Sequence, residues 1–107
     1  MKHPGSSSAV EVTDDPRAGR YEARIGGEVA GIARYLRAEG LIAFVHTEVE
    51  PRYEGRGVGG ALARASLDAA RAERLAVLAV CPFYAGWIDQ HPAYQDLLYT
   101  EQSSVSD

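Results

Sequence analysis

The stretch His46-Thr47-Glu48-Val49-Glu50-Pro51-Arg52-Tyr53-Glu54-Gly55-Arg56-Gly57-Val58-Gly59-Gly60-Ala61-Leu62 sets four glycines between an apolar run and an alanine-rich run. The order predicts strand, glycine loop, helix. Glycine has no β-carbon, so a ligand oxygen can approach the main chain and the backbone can take positive φ where the turn requires it. The unpaired N–H groups of the helix's first turn point into the same space, and the macrodipole adds partial positive charge there. A phosphate or pyrophosphate is the natural occupant, although tight turns and helix caps also collect glycine.

Two familiar phosphate loops are excluded. A Walker-type loop needs Lys and then Ser or Thr after its last glycine, whereas Gly60 is followed by Ala61 and Leu62. A dinucleotide fingerprint needs G-x-G-x-x-G and an acidic residue at the end of the next strand. Here the spacing is G-x-G-x-G-G, and the next apolar run ends at Val80-Cys81-Pro82 without an acid.

The segment from Val49 to Leu62 resembles the acyl-CoA pyrophosphate loop of the GNAT acyltransferase superfamily, V-x-P-x-x-[Q/R]-G-x-G-[I/V]-G-x-x-L. His46-Thr47-Glu48-Val49 before the loop, Cys81-Pro82 after the next strand and His91-Pro92-Ala93-Tyr94 beyond it are similar to the small single-domain YjdJ-type members. The likeness runs from about Tyr21 to Tyr99. It implies an acetyl-CoA-dependent N-acetyltransferase acting on an amine, with Val49, Gly55, Arg56, Gly57, Val58, Gly59 and Gly60 holding the CoA. One position departs from the pattern: Glu54 stands where Gln or Arg is usual, and an acid beside a pyrophosphate weakens binding unless its side chain turns away.

Outward from the loop, the chain reads as one small domain. Its 107 residues suffice for a sheet with two or three helices. The expected division is a polar tail over 1–8, a domain over 9–100 and a second tail over 101–107. A formal charge of −4 argues against a nucleic-acid partner, which would need a basic face, and leans toward a cationic substrate such as an amine. One cysteine allows no internal disulfide. With no apolar leader and no run of membrane-spanning length, the expectation is a soluble cytoplasmic protein, monomeric or weakly dimeric.

Toward the N-terminus, Ala9 to Val12 is expected as a first strand, closed by a turn at Asp14-Asp15-Pro16 and Gly19. Tyr21 to Ile25 alternates as a half-buried strand does, and Gly26-Gly27 marks a hairpin. Glu28 to Arg37 pairs with it, Glu39-Gly40 turns, and Leu41 to Val49 follows. Strict alternation puts Ile42, Phe44, His46 and Glu48 on one face of that strand. Toward the C-terminus, a helix from Gly59 to about Arg74 is expected to bury Val58, Leu62, Ala65 and Ala69. Leu75 to Val80 reads as a parallel strand covered on both faces. A short helix from Phe83 to Gln90 and a last turn or two from Ala93 to Tyr99 complete the chain. The fold class is therefore α/β with a mixed sheet, an antiparallel meander followed by a parallel β-α-β unit, as the resemblance also implies.

Acyl transfer to an amine needs a held thioester, a neutral amine and stabilisation of the oxyanion. His46 is the candidate base, since imidazole can be neutral near pH 7. Cys81 is the second catalytic candidate, because parallel pairing brings its strand's end beside the strand of His46. Its thiolate would accept an acyl group or polarise the site. Tyr84 and Tyr94 are candidates for the acid that protonates the leaving thiolate, and Arg52 and Arg56 for contacts to phosphate. Three scattered histidines and one cysteine lack the spacing of a zinc site, so no metal is expected. The rival reading is a CoA-binding module without efficient turnover.

Overall fold

The computed structural model describes residues 9–100; the two expected tails lie outside the described residues. Four antiparallel strands run in sequence order: β1 (Glu11–Asp15), β2 (Arg20–Ile25), β3 (Glu28–Ala38) and β4 (Leu41–Val49). A 3-10 turn (Pro51–Tyr53) leads through the glycines to helix α1 (Val58–Ala72). The chain then returns as β5 (Ala76–Ala79), parallel to β4, and continues into α2 (Pro82–Asp89) and a 3-10 segment (Pro92–Leu97). Leu98 closes the far edge by a parallel bridge to Val77. The mixed sheet with a parallel β-α-β unit matches the fold class read from the sequence.

The first strand lies later than expected. Asp14 and Asp15 are inside β1, paired with Tyr21 and Arg20, and the turn falls after them. The Tyr35 hydroxyl donates to Asp14 at 2.6 Å, so an acid that reads as a turn residue is held in the ladder by a tyrosine two strands away.

One face of the sheet carries the core. Tyr21, Ala23 and Ile25 of β2, Ala33 and Tyr35 of β3, and Ile42 and Phe44 of β4 are buried against α1 and α2. Phe44 stacks on Tyr84 with ring centroids 4.2 Å apart. The stripe that α1 buries is Val58, Leu62, Ala63, Ser66, Leu67 and Ala70. It is rotated from the expected one, and Ser66 rather than Ala65 faces inward. The reason is a partner for its hydroxyl: Ser66 Oγ lies 2.8 Å from the Tyr84 hydroxyl and donates to the Ala63 carbonyl. Among the described residues the opposite face bears no helix. Accordingly β5 is not covered on both sides, and Leu78 and Val80 are exposed beside buried Val77.

Two β-bulges break the ladder, and the second governs the site. Arg34 pairs with His46 but Tyr35 pairs with Phe44, so Val45 is an extra residue in β4. Strict alternation fails there. Ile42 and Phe44 face the core, while His46 and Glu48 emerge on the helix-free face and Thr47 and Val49 turn toward α1 and α2.

Candidate functional site

Strands β4 and β5 pair from Leu41↔Ala76 to Phe44↔Ala79, and the Cys81 amide donates to the Phe44 carbonyl at 2.9 Å. Beyond that point the two chains part. Pro82 cannot continue the ladder and starts α2, while β4 runs on alone through the bulge toward the glycines. The two strands therefore diverge where their pairing ends, and β4 leads on to the start of α1.

The glycine loop is built by three different constraints. Gly57 is the N-cap of α1 at φ 80°, a left-handed conformation that disfavours a side chain. Gly59 gives room to the Phe83 ring: a β-carbon there would lie 2.8 Å from its Cζ. Gly31 on β3 lets β4 and α1 close in, since its β-carbon would lie 2.7 Å from Val58 Cγ1 and 2.8 Å from the Glu48 carbonyl oxygen. Gly31 was not legible as part of this loop, because its role lies wholly in packing against residues 17 to 31 positions away. The amides of Glu54 and Arg56 are used within the turn, on Pro51 and Tyr53, and Ala61 caps back to Gly57. Those of Gly57, Val58, Gly59 and Gly60 have no hydrogen-bond acceptor among the described residues. These are the four orphan donors that every helix start carries.

Of the loop's cations, Arg52 is bound to Glu28, which also accepts from the Tyr53 hydroxyl at 2.8 Å. That carboxylate ties the loop to the β2–β3 hairpin. Arg56 is exposed and lies over the Tyr53 ring, 5.7 Å from its centroid, without a carboxylate partner among the described residues. Glu54 is exposed and likewise has no ion-pair partner among the described residues.

His46 and Cys81 do not meet. The sulfur, 5 % exposed, lies 3.3 Å from the Thr47 hydroxyl. His46, with half its side chain exposed, stands on the other face of the same strand, its Nε2 2.8 Å from Glu48. The expected proximity of imidazole and thiol is corrected by the bulge, which turns His46 away and brings Thr47 to the sulfur. The bond from His46, more than any other contact, holds the Glu48 carboxyl below its usual range. An ionised carboxylate only accepts, so Nε2 is the donor of this bond.

Both candidate tyrosine hydroxyls are engaged within the fold. Tyr84 is fully buried, with its hydroxyl on Ser66 and, at 3.4 Å, the Leu62 carbonyl; burial pushes its pKa well above the ordinary tyrosine value. The Tyr94 hydroxyl donates to Asp68 at 2.8 Å. His91 Nδ1 donates to the Trp87 carbonyl, and its ring stacks on Trp87 at 3.7 Å, closing the end of α2. Among the described residues no group of three His, Cys, Asp or Glu side chains converges as a metal site, and no helix is long and apolar enough to cross a membrane.

A family model described as GCN5-related N-acetyl-transferase matches residues 20–97. No curated protein matches the sequence. Among solved structures, the chain is similar to the NMR solution structure of a GCN5-like protein from Staphylococcus aureus, with TM-score 0.64 and 21 % identity over 95 % of this chain and 99 % of that one. At that identity the likeness speaks for the fold.

Proposed function

This chain belongs to the GCN5-related N-acetyltransferase family, and on that premise we propose that it transfers an acetyl group from acetyl-CoA to an amine. The observation that carries the reading is the row of unengaged amides from Gly57 to Gly60 that follows β4 beyond the point where β4 and β5 separate. Four converging donors on a helix start suit a pyrophosphate, and Arg56 adds an unpaired guanidinium beside them. The pantetheine arm would lie along the segment of β4 beyond Phe44, whose edge has no strand partner among the described residues, and bring the thioester to the bulge at Val45.

His46 and Cys81 then serve different steps from opposite faces of β4. On the helix-free face, the ammonium of the acceptor loses a proton to His46 Nδ1, with Glu48 fixing the ring. The neutral nitrogen adds to the acetyl carbon, the C–S bond breaks, and the remaining excess proton passes to the departing CoA thiolate. Cys81, on the opposite face with Thr47, polarises the thioester end or takes the acetyl group transiently. That alternative exchanges one thioester for another and needs no other reactant.

The test is a thermal shift with acetyl-CoA, followed by assay of free CoA with a mixture of amines. Acetyl-CoA at about 100 times its dissociation constant stabilises a one-site protein by about 2.7 kcal/mol. For a domain of this size each kcal/mol is worth roughly 4–8 °C in Tm. A calorimetric blank and an unmoved Tm would end the proposal. With binding present, His46→Ala and Cys81→Ser should each slow release of CoA, and an unchanged rate in both would remove the two catalytic assignments.

A further inference from the structure

The helix-free face of the sheet holds a cavity of about 460 Å³ lined by Arg20, Ile32, Arg34, Glu48, Glu50 and Pro51, among others. It lies beside the part of β4 that follows the bulge. The volume is that of a small-molecule site.

Its charges are laid out by strand register. Arg20, Arg34 and His46 are directly opposite one another across β2, β3 and β4, and the next rank is Glu22, Ile32 and Glu48. Like charges directly opposite destabilise a sheet, so each cation in the first rank needs an anion. Arg20 has one: its guanidinium donates twice to Glu22, which Arg24 engages from the other side. His46 has Glu48. Arg34, in the middle, has no hydrogen bond or ion pair among the described residues, and feels Glu48 only at longer range. An exposed guanidinium set between two basic neighbours and left without a carboxylate is a place where a ligand anion relieves repulsion. Its planar fork suits a carboxylate. Within the same cavity Glu50 is an exposed carboxylate without a partner among the described residues, and Glu48 is linked to the base His46. Ile32 is the apolar floor between the two charge types.

We propose that this cavity is the acceptor site and that the acceptor is a small amine bearing a carboxylate, held by Arg34 at its acid end and by Glu48 and Glu50 at its ammonium. The proposal rests on the acetyltransferase reading for its reaction but not for its binding. The bound ammonium gives one proton to His46, its nitrogen forms the C–N bond as the thioester C–S bond breaks, and its second surplus proton leaves with the CoA thiol. The products are an N-acetyl acid and free CoA.

The experiment titrates 15N-labelled protein with glycine, β-alanine and 4-aminobutyrate, and with their decarboxylated counterparts methylamine, ethylamine and propylamine. It follows the Arg34 Nε–H and the Ile32 and Glu48 amides, and in parallel the amides of Gly57 to Gly60 with acetyl-CoA. At least one of the acids is expected to shift the cavity signals saturably. Loss of a charge-assisted pair costs about tenfold or more in affinity, so the matched amine should bind at least that much more weakly. Arg34→Gln should weaken the acid by a similar factor and leave acetyl-CoA binding unchanged, and Arg34→Lys should restore part of the loss. Equal binding of acids and amines, equal binding by wild type and Arg34→Gln, or no saturable shift with any acid would overturn the assignment. Failure of acetyl-CoA to move the loop while an acid fills the cavity would instead overturn the acetyltransferase reading and leave the site standing.

Discussion

Replacing Gly31 by alanine tests whether the contact between β3, β4 and α1 is as tight as its geometry implies. The new methyl would stand 2.7 Å from Val58 Cγ1 and 2.8 Å from the Glu48 carbonyl oxygen, where carbon contacts settle at about 3.5–4.0 Å. Neither neighbour yields readily. Val58 is buried and β-branched on a helix, so one χ1 rotamer is strongly preferred, and the Glu48 carbonyl belongs to the strand that pairs with β3. Relief must come from moving a strand or the first turn of α1. Overpacking of this kind costs about 1–3 kcal/mol. At roughly 4–8 °C per kcal/mol, a midrange cost lowers Tm by about 8–16 °C. Gly59→Ala is the internal control. Its methyl would also lie 2.8 Å from a carbon, but that atom is the tip of Phe83, a partly exposed side chain that can swing. Alanine also gains about 0.8–1 kcal/mol of helix propensity over glycine, so the net change should stay within about 1 kcal/mol. Circular-dichroism melts of the two variants decide the matter. A Gly31→Ala melt within about 2 °C of wild type, or a larger loss in Gly59→Ala, would refute the packing argument. Because Val58 opens α1, Gly31→Ala should also weaken acetyl-CoA in calorimetry.

Two further outcomes follow from the polar groups of the fold. Glu22 is held below its usual carboxylate range chiefly by the hydrogen bond from Arg20 and then by Arg24, so its contribution is present above pH 4.5 and lost as pH falls through the depressed value. Glu22→Gln should cost about 1 kcal/mol at pH 7 in urea denaturation, and the gap to wild type should close in acid; a gap independent of pH would contradict this. Tyr84→Phe removes the hydroxyl that meets Ser66 and Leu62 but keeps the stack on Phe44, and Ser66 retains its bond to the Ala63 carbonyl. A loss of about 1 kcal/mol with an unchanged urea m-value is expected, whereas loss of CoA release without loss of stability would point to Tyr84 as the catalytic acid.

What the sequence shows of this fold is whatever depends on neighbours in the chain. The strand Leu41–Val49 is legible to the residue because β-branched and apolar side chains run between the turn at Gly40 and Pro51. The hairpin at Gly26-Gly27 is legible for the same reason, and so is the start of α1, expected at Gly59 and found at Val58. Errors fall where a partner lies far along the chain. Asp14 reads as a turn residue until Tyr35 reaches it, and Ser66 falls outside the expected buried stripe until Tyr84 meets its hydroxyl. The strand Ala76–Ala79 reads as covered on both sides because its apolar run does not say which face the helices choose.

The same division explains the candidate site. The orphan amides are a local consequence of a helix beginning at Val58, and the glycines announce them. The bulge at Val45 has no such announcement, since Val45 is as good a strand residue as its neighbours and the extra position appears only when β4 is laid against β3. Yet that one residue decides which face His46 and Glu48 take. Without it, His46 would share the face of Phe44, under the helices and beside the path to Cys81, where an imidazole–thiol relay is the natural reading. With it, His46 and Glu48 are turned onto the open face beside Arg34, and Thr47 takes the place against the sulfur. In the reaction we propose, His46 is reached from one side of the strand and the thioester from the other, and a single inserted residue produces that separation from an otherwise regular strand.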